Sequence, residues 1–120
     1  RRPQMSSIAQ VGRHILADFY GVSPERLRDE QALESLLRAA AEAAGARILS
    51  SHFHSFGEAH GVTGVVMLSE SHISIHTWPE SGFAAADIFM CGSADPQRAL
   101  SFLEASLLPT RQHVESAVRG

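Results

Sequence analysis

Between Ala46 and Cys91, four β-patterned segments follow one another with breaks too short to hold a crossover helix. They run from Ile48 to Phe56, Val62 to Ser69, His72 to Trp78 and Ala84 to Cys91, with glycine-containing interruptions at Gly57 to Gly61 and Pro79 to Gly82. A parallel connection needs about a dozen residues or more, so successive segments of this kind pair as antiparallel neighbours. Upstream, Val11 to Tyr20 alternates apolar and polar residues and reads as a further strand. Ser23-Pro24-Glu25 then supplies a cap, a first helical residue and a dipole-favoured acid. Leu33, Leu36, Leu37, Ala40, Ala41 and Ala44 form one helical stripe, and Gly45 ends it. Asp95-Pro96 opens a second helix with Ala99, Leu100, Leu103 and Leu107 inward and Pro109 closing it, and a short strand is expected around His113 to Val118.

The order β-α-β-β-β-β-α-β predicts an α+β two-layer sandwich, an antiparallel sheet with two helices on one face. The other face must then be covered, polar or paired with a second subunit, so a homodimer is expected. The length of 120 residues suits a single domain spanning 1–120. Met5 reads as the natural start and Arg1 to Gln4 as an appended or upstream extension. Arg1-Arg2 is not followed by an apolar h-region, so it is not read as a twin-arginine signal.

Ten basic residues against thirteen acidic ones leave a net charge of −3, which argues against nucleic acid or an anionic membrane as partner. Apolar runs such as Val65 to Leu68 are too short to span a bilayer. The single cysteine, Cys91, excludes an intrachain disulfide framework and fits a reducing compartment, the cytoplasm. Among the seven histidines, His52/His54 and His72/His76 have the even spacing that places each pair on one strand face, where both members could chelate a metal. No acid or cysteine stands at a convincing third-ligand spacing, so no metal is expected. Gly61-Val62-Thr63-Gly64 lacks the lysine and following helix of a phosphate loop, and Ser71 has no Gly-x-Ser-x-Gly elbow around it.

The run Leu68-Ser69-Glu70-Ser71-His72-Ile73-Ser74-Ile75-His76-Thr77-Trp78-Pro79-Glu80 is different in kind. With Ala84 to Gly92 and Gly12-Arg13-His14, it resembles the small prokaryotic S-adenosylmethionine decarboxylases, self-cleaving pyruvoyl enzymes of polyamine synthesis. The resemblance extends from about Val11 to the C-terminal strand, with a loop around Gly57 to His60 about one residue longer than the family's. It implies cleavage between Glu70 and Ser71, giving chains 1–70 and 71–120. Decarboxylating an amino acid leaves a carbanion that needs an electron sink, and no side chain supplies one. In the implied processing, Ser71 Oγ attacks the Glu70 carbonyl and the amide becomes an ester. Loss of the Ser71 α-proton then releases a chain ending at Glu70, and the dehydroalanine left at 71 hydrolyses to pyruvoyl and ammonia.

By the same resemblance His76 takes that α-proton, a task suited to imidazole. Thr63 stands where family members commonly carry a serine that assists processing. Cys91 matches the donor that protonates the substrate carbon after carbon dioxide leaves; protonation on the cofactor side would transaminate and inactivate the enzyme. Ser71 and His76 have opposite parity, so a flat strand would put them on opposite faces, and the chain must turn or bulge at Ser71 or use the strand's end. For substrate, Phe56 is the candidate adenine platform and Glu80 fits the family residue that holds the ribose hydroxyls. Trp78 is read as packing. Two alternatives accompany this reading: the same fold and cofactor acting on arginine or ornithine, which Ser81 and Ala86 do not exclude, and an uncleaved non-catalytic homologue that binds a partner.

Overall fold

The sheet is laid out by the same hairpin logic in a computed structural model that describes residues 11–120; Arg1, Arg2 and Met5 lie outside the described residues. Strand β1 (Gly12–Tyr20) leads to two helical pieces, α1 (Pro24–Arg28) and α2 (Glu30–Ala43). Strands β2 (Ile48–Ser55), β3 (Val62–Leu68), β4 (Ser71–Trp78) and β5 (Phe83–Cys91) follow, then helix α3 (Pro96–Leu107) and strand β6 (Arg111–Arg119). A single 3-10 turn, Pro79–Ser81, joins β4 to β5. All neighbours are antiparallel, in the order β2-β3-β4-β5-β1-β6. The last strand is therefore an edge strand paired to β1, and it is longer at both ends than the sequence predicts.

The first helix is two helices, which corrects the expected count from two to three. Asp29 adopts an extended conformation (φ −90°, ψ 98°), and its carboxylate accepts from the Ala32 amide at 3.0 Å. Aspartate is a poor interior helix residue and a good N-cap, so the chain breaks and restarts there. Ser23 does not cap α1 as expected; its hydroxyl donates to Glu25 instead, which holds that carboxyl below its ordinary value. The C-terminal stop is as expected, with Gly45 in the left-handed region at φ +81°.

The helices lie against one face of the sheet. That face carries Ile15, Ala17 and Phe19 from β1, Val62, Val66 and Leu68 from β3, Ile73 and Ile75 from β4, and Ala84, Ala86, Ile88 and Met90 from β5, all buried. The helices answer with Leu27, Leu33, Leu37, Ala40, Ala41, Leu100, Leu103 and Leu107. Phe53 packs onto this core by lying over Gly64, where a Cβ would fall 2.1 Å from its ring. Thr77 is the buried polar member: its hydroxyl donates to the Leu27 carbonyl at 2.6 Å and accepts from the Val62 amide at 2.9 Å, tying α1 to the sheet. No helix of the described residues is long and apolar enough to cross a membrane.

Candidate active site

The face turned away from the helices takes the other parity of every strand. Register sets its residues in rows: His54, Thr63, His76 and Ala85 in one, His72, Phe89 and His14 in another. None of the described elements packs over it, and Leu16, Met67 and Trp78 are exposed there.

At one end of β4, the β3–β4 hairpin closes through Ser69 and Glu70, with Leu68 opposite Ser71. Glu70 holds a left-handed backbone at φ +62° without being glycine, a conformation that costs on the order of 1 kcal/mol or more for an L-residue. Cys91, at the end of β5, contacts the Glu70–Ser71 junction through two atoms, one on the peptide and one on the Ser71 side chain. Its thiol donates to the Glu70 carbonyl oxygen at 3.0 Å, and its amide donates to Ser71 Oγ at 3.1 Å. Glu70, Ser71 and Cys91 therefore meet.

At the other end, Thr63 Oγ1 lies 3.0 Å from His76 Nδ1 across the β3–β4 pair. An open cleft of about 530 Å³ surrounds this pair, lined by Phe56, His60, Gly61, Thr63, His76, Thr77, Trp78 and Glu80. Phe56, Thr63, His76 and Glu80 are thus brought together. Trp78, read from sequence as packing, does lie against Phe83 (centroids 5.4 Å apart), but it is 41% exposed and also forms the cleft wall. That wall comes from a residue whose alternation already placed it on the His76 face.

The two groups are not brought together within one chain. Strand β4 is regular from Ser71 to Trp78, with no bulge at its start. Ser71 and His76 are five residues apart, which at a rise of about 3.3 Å per residue is roughly 16 Å. The parity conflict is thus met by the strand's end rather than by a bulge, and it leaves the imidazole and the Glu70–Ser71 peptide well separated.

A third cluster escapes local sequence patterns. His14 Nε2 lies 3.1 Å from Asp87 Oδ1, and Arg119 Nη1 lies 3.0 Å from His14 Nδ1. The His72 ring stands edge-on to His14, with centroids 6.1 Å apart. Ligand atoms of His14, His72 and Asp87 fall within 4.8 Å of one another, a spacing that invites a metal reading. The tautomer opposes it. A guanidinium can only donate, so His14 accepts at Nδ1 and carries its proton on Nε2, facing Asp87. A metal-binding imidazole has the reverse arrangement, with its outer nitrogen donating to an acceptor.

A thiol and a hydroxyl flanking one peptide bond, an imidazole–hydroxyl pair and a cleft with aromatic and polar walls define an enzyme-type site on an α+β scaffold. The family model described as S-adenosylmethionine decarboxylase matches residues 13–120. The S-adenosylmethionine decarboxylase proenzyme of Thermosipho melanesiensis is 47% identical over 111 residues, covering 92% of this chain and 85% of its own. That of Fervidobacterium nodosum is also 47% identical, over 92% of this chain and 80% of its own. The crystal structure of the adenosylmethionine decarboxylase from Aquifex aeolicus superposes with a TM-score of 0.86 at 40% identity, covering 94% of this chain and 93% of that one. The chain belongs to the S-adenosylmethionine decarboxylase family.

Proposed function

We propose that this member of the family is an S-adenosylmethionine decarboxylase, made as a precursor that cuts itself between Glu70 and Ser71 to form a pyruvoyl group at position 71. The observation that carries the proposal is the pair of contacts Cys91 makes there, its thiol with the Glu70 carbonyl at 3.0 Å and its amide with Ser71 Oγ at 3.1 Å. The thiol draws electron density from the Glu70 carbonyl as Ser71 Oγ adds to it, and the Cys91 amide keeps Oγ beside the carbon it attacks. Cleavage at this point severs only a two-residue turn, so β3 and β4 remain paired and residue 71 stays at a strand end. Position 71 therefore fits the group. Once formed, the pyruvoyl group supplies the electron sink for the negative charge left by carbon dioxide. Cys91, as a thiol, then holds the proton that returns to the substrate carbon, and a reducing cytoplasm would keep it in that form.

His76 serves as base from a second copy of the chain. In the working tautomer its Nδ1–H donates to Thr63 Oγ1, which leaves Nε2 free to take the Ser71 α-proton. A copy stacked on the open face, turned about an axis across the strands near Ser74, carries its His76 and Thr63 over Glu70 and Ser71 of the first. The same rotation brings the cleft of one chain to the thiol of the other. Adenine then stacks on Phe56 and the ribose hydroxyls bond to Glu80, while the amino-acid end reaches residue 71 across the interface. A 530 Å³ cleft with aromatic walls favours a nucleoside-bearing substrate over arginine or ornithine.

Complementation tests this reading. His76→Ala and Cys91→Ala chains are each expected to be inactive alone, whereas a mixed assembly contains one whole site per mixed dimer and regains about a quarter of wild-type activity for random pairing. Sedimentation is expected to give about twice 13.0 kDa. Mixed chains that stay inactive, or an active monomer, would overturn the shared site.

A further inference from the structure

We infer that His14 is a positioning residue for the chain end that cleavage creates, and that it acts through the ring of His72. The inference rests on cleavage at Glu70–Ser71 as proposed above. Before cleavage, residue 71 is held by its bond to Glu70 and by the Cys91 amide on Ser71 Oγ. Both ties go together: the peptide bond is broken, and Oγ departs as part of the new Glu70 carboxylate when the ester eliminates. What then holds residue 71, besides the ladder of β4, is the side chain of its neighbour.

That neighbour is His72, and its ring is seated. It lies 6.0 Å from the Phe89 ring at a 32° tilt and 6.1 Å from the His14 ring at 81°. His14 also stands edge-on to Phe89, with centroids 5.7 Å apart. His14 is immobilised at both nitrogens, by Arg119 from β6 and by Asp87 from β5, so three strands fix the surface against which His72 rests. Its side chain is 18% exposed, while Asp87 is 36% exposed. Gly12 completes the seat, since a Cβ there would lie 2.7 Å from the Met90 carbonyl and 3.1 Å from the Phe89 ring. Neither Arg119 nor Asp87 touches Glu70, Ser71 or Cys91 through any side-chain hydrogen bond among the described residues. The cluster's reach to the chemistry therefore runs through His72.

Placement at residue 71 decides which carbon the Cys91 proton reaches, and a misplacement of about 1 Å can cost a hundredfold at a reacting centre. A loosened chain end should therefore raise the fraction of turnovers that end in transamination.

The test compares His14→Leu in two backgrounds, the cleaved protein and the uncleaved Ser71→Ala protein, by amide hydrogen exchange over the first residues of β4. In the cleaved protein those amides are expected to exchange about tenfold faster than in the parent, the scale of losing an edge-to-face aromatic contact. In the uncleaved protein they are expected to change less than about twofold, because the Glu70 bond still holds residue 71. Mass spectrometry of the 71–120 chain after turnover is expected to show several-fold more alanine in place of pyruvoyl, and Arg119→Met to give the same pattern more weakly. A merely structural role for His14 would accelerate exchange in both backgrounds. Equal acceleration, or none in the cleaved form, would overturn the inference while leaving cleavage intact. A wild-type chain that never cleaves would overturn the reading of Glu70–Ser71 and this inference with it.

Discussion

On β4, Ile73, Ile75 and Thr77 point into the helix layer at 0%, 0% and 5% exposure, while the alternate residues His72, Ser74, His76 and Trp78 point the other way. One strand thus serves two purposes by parity alone. The helix side is apolar, satisfied within the chain and dominated by side-chain volume. The open side is polar and aromatic and carries His14, His72, His76 and Trp78, while Ser71, of the opposite parity, meets Cys91 at the strand's end and not His76. The contrast teaches that the helix layer closes the core on one face, while the open face leaves Ser71 and His76 apart within one chain.

The sharpest way to break this contrast is a crossed pair of substitutions. Ser71→Ala should abolish cleavage outright and leave the denaturation midpoint nearly unchanged, because position 71 ends a strand outside the core. Ile75→Ala should do the reverse, costing about 2–5 kcal/mol of stability through the cavity it leaves, while cleavage persists in the molecules that fold. Denaturant titration and gel separation of the two chains read both effects. Strong destabilisation by Ser71→Ala would show that the site end of β4 also carries the fold.

Cys91→Ala comes next in size. It should slow cleavage through loss of the thiol on the Glu70 carbonyl. Turnover should suffer more, with the 71–120 chain ending as an alanine-headed product in mass spectra. Normal turnover by Cys91→Ala would remove it as proton donor. Smaller still is Phe56→Ala. Base–aromatic stacking is worth roughly 1–3 kcal/mol in nucleic-acid binders, so KM should rise about tenfold or more at 1.4 kcal/mol per tenfold. Glu80→Gln should act in the same direction with cleavage unaffected. Preferential release of carbon dioxide from arginine or ornithine by the same enzyme would replace the adenosine reading of the cleft.

The helix side was legible in the sequence because its signals are local. The Leu33-to-Ala44 stripe, the Asp95-Pro96 opening and the strand alternation each lie within a dozen residues, and burial followed them. The break at Asp29 was missed because the apolar period of α2 dominates that stretch, although an aspartate ahead of a helical run is itself a cap signal. The chemistry expected of the Glu70-to-Glu80 run, whose residues alternate between the two faces, came from family resemblance and not from periodicity. The His14–Asp87–Arg119 cluster had no such help. Its members are 73 and 105 positions apart and meet only because β1 lies between β5 and β6. The separation of Ser71 from His76 was visible as a parity conflict, but its resolution needed the straight course of β4.

The most direct measurement is denaturing mass spectrometry of the purified wild-type protein after prolonged incubation. Two chains are expected, residues 1–70 and residues 71–120, the second blocked at its N-terminus by a pyruvoyl group that borohydride reduces. Decarboxylase activity should rise in step with their appearance. A single intact chain with full activity toward S-adenosylmethionine would contradict the account.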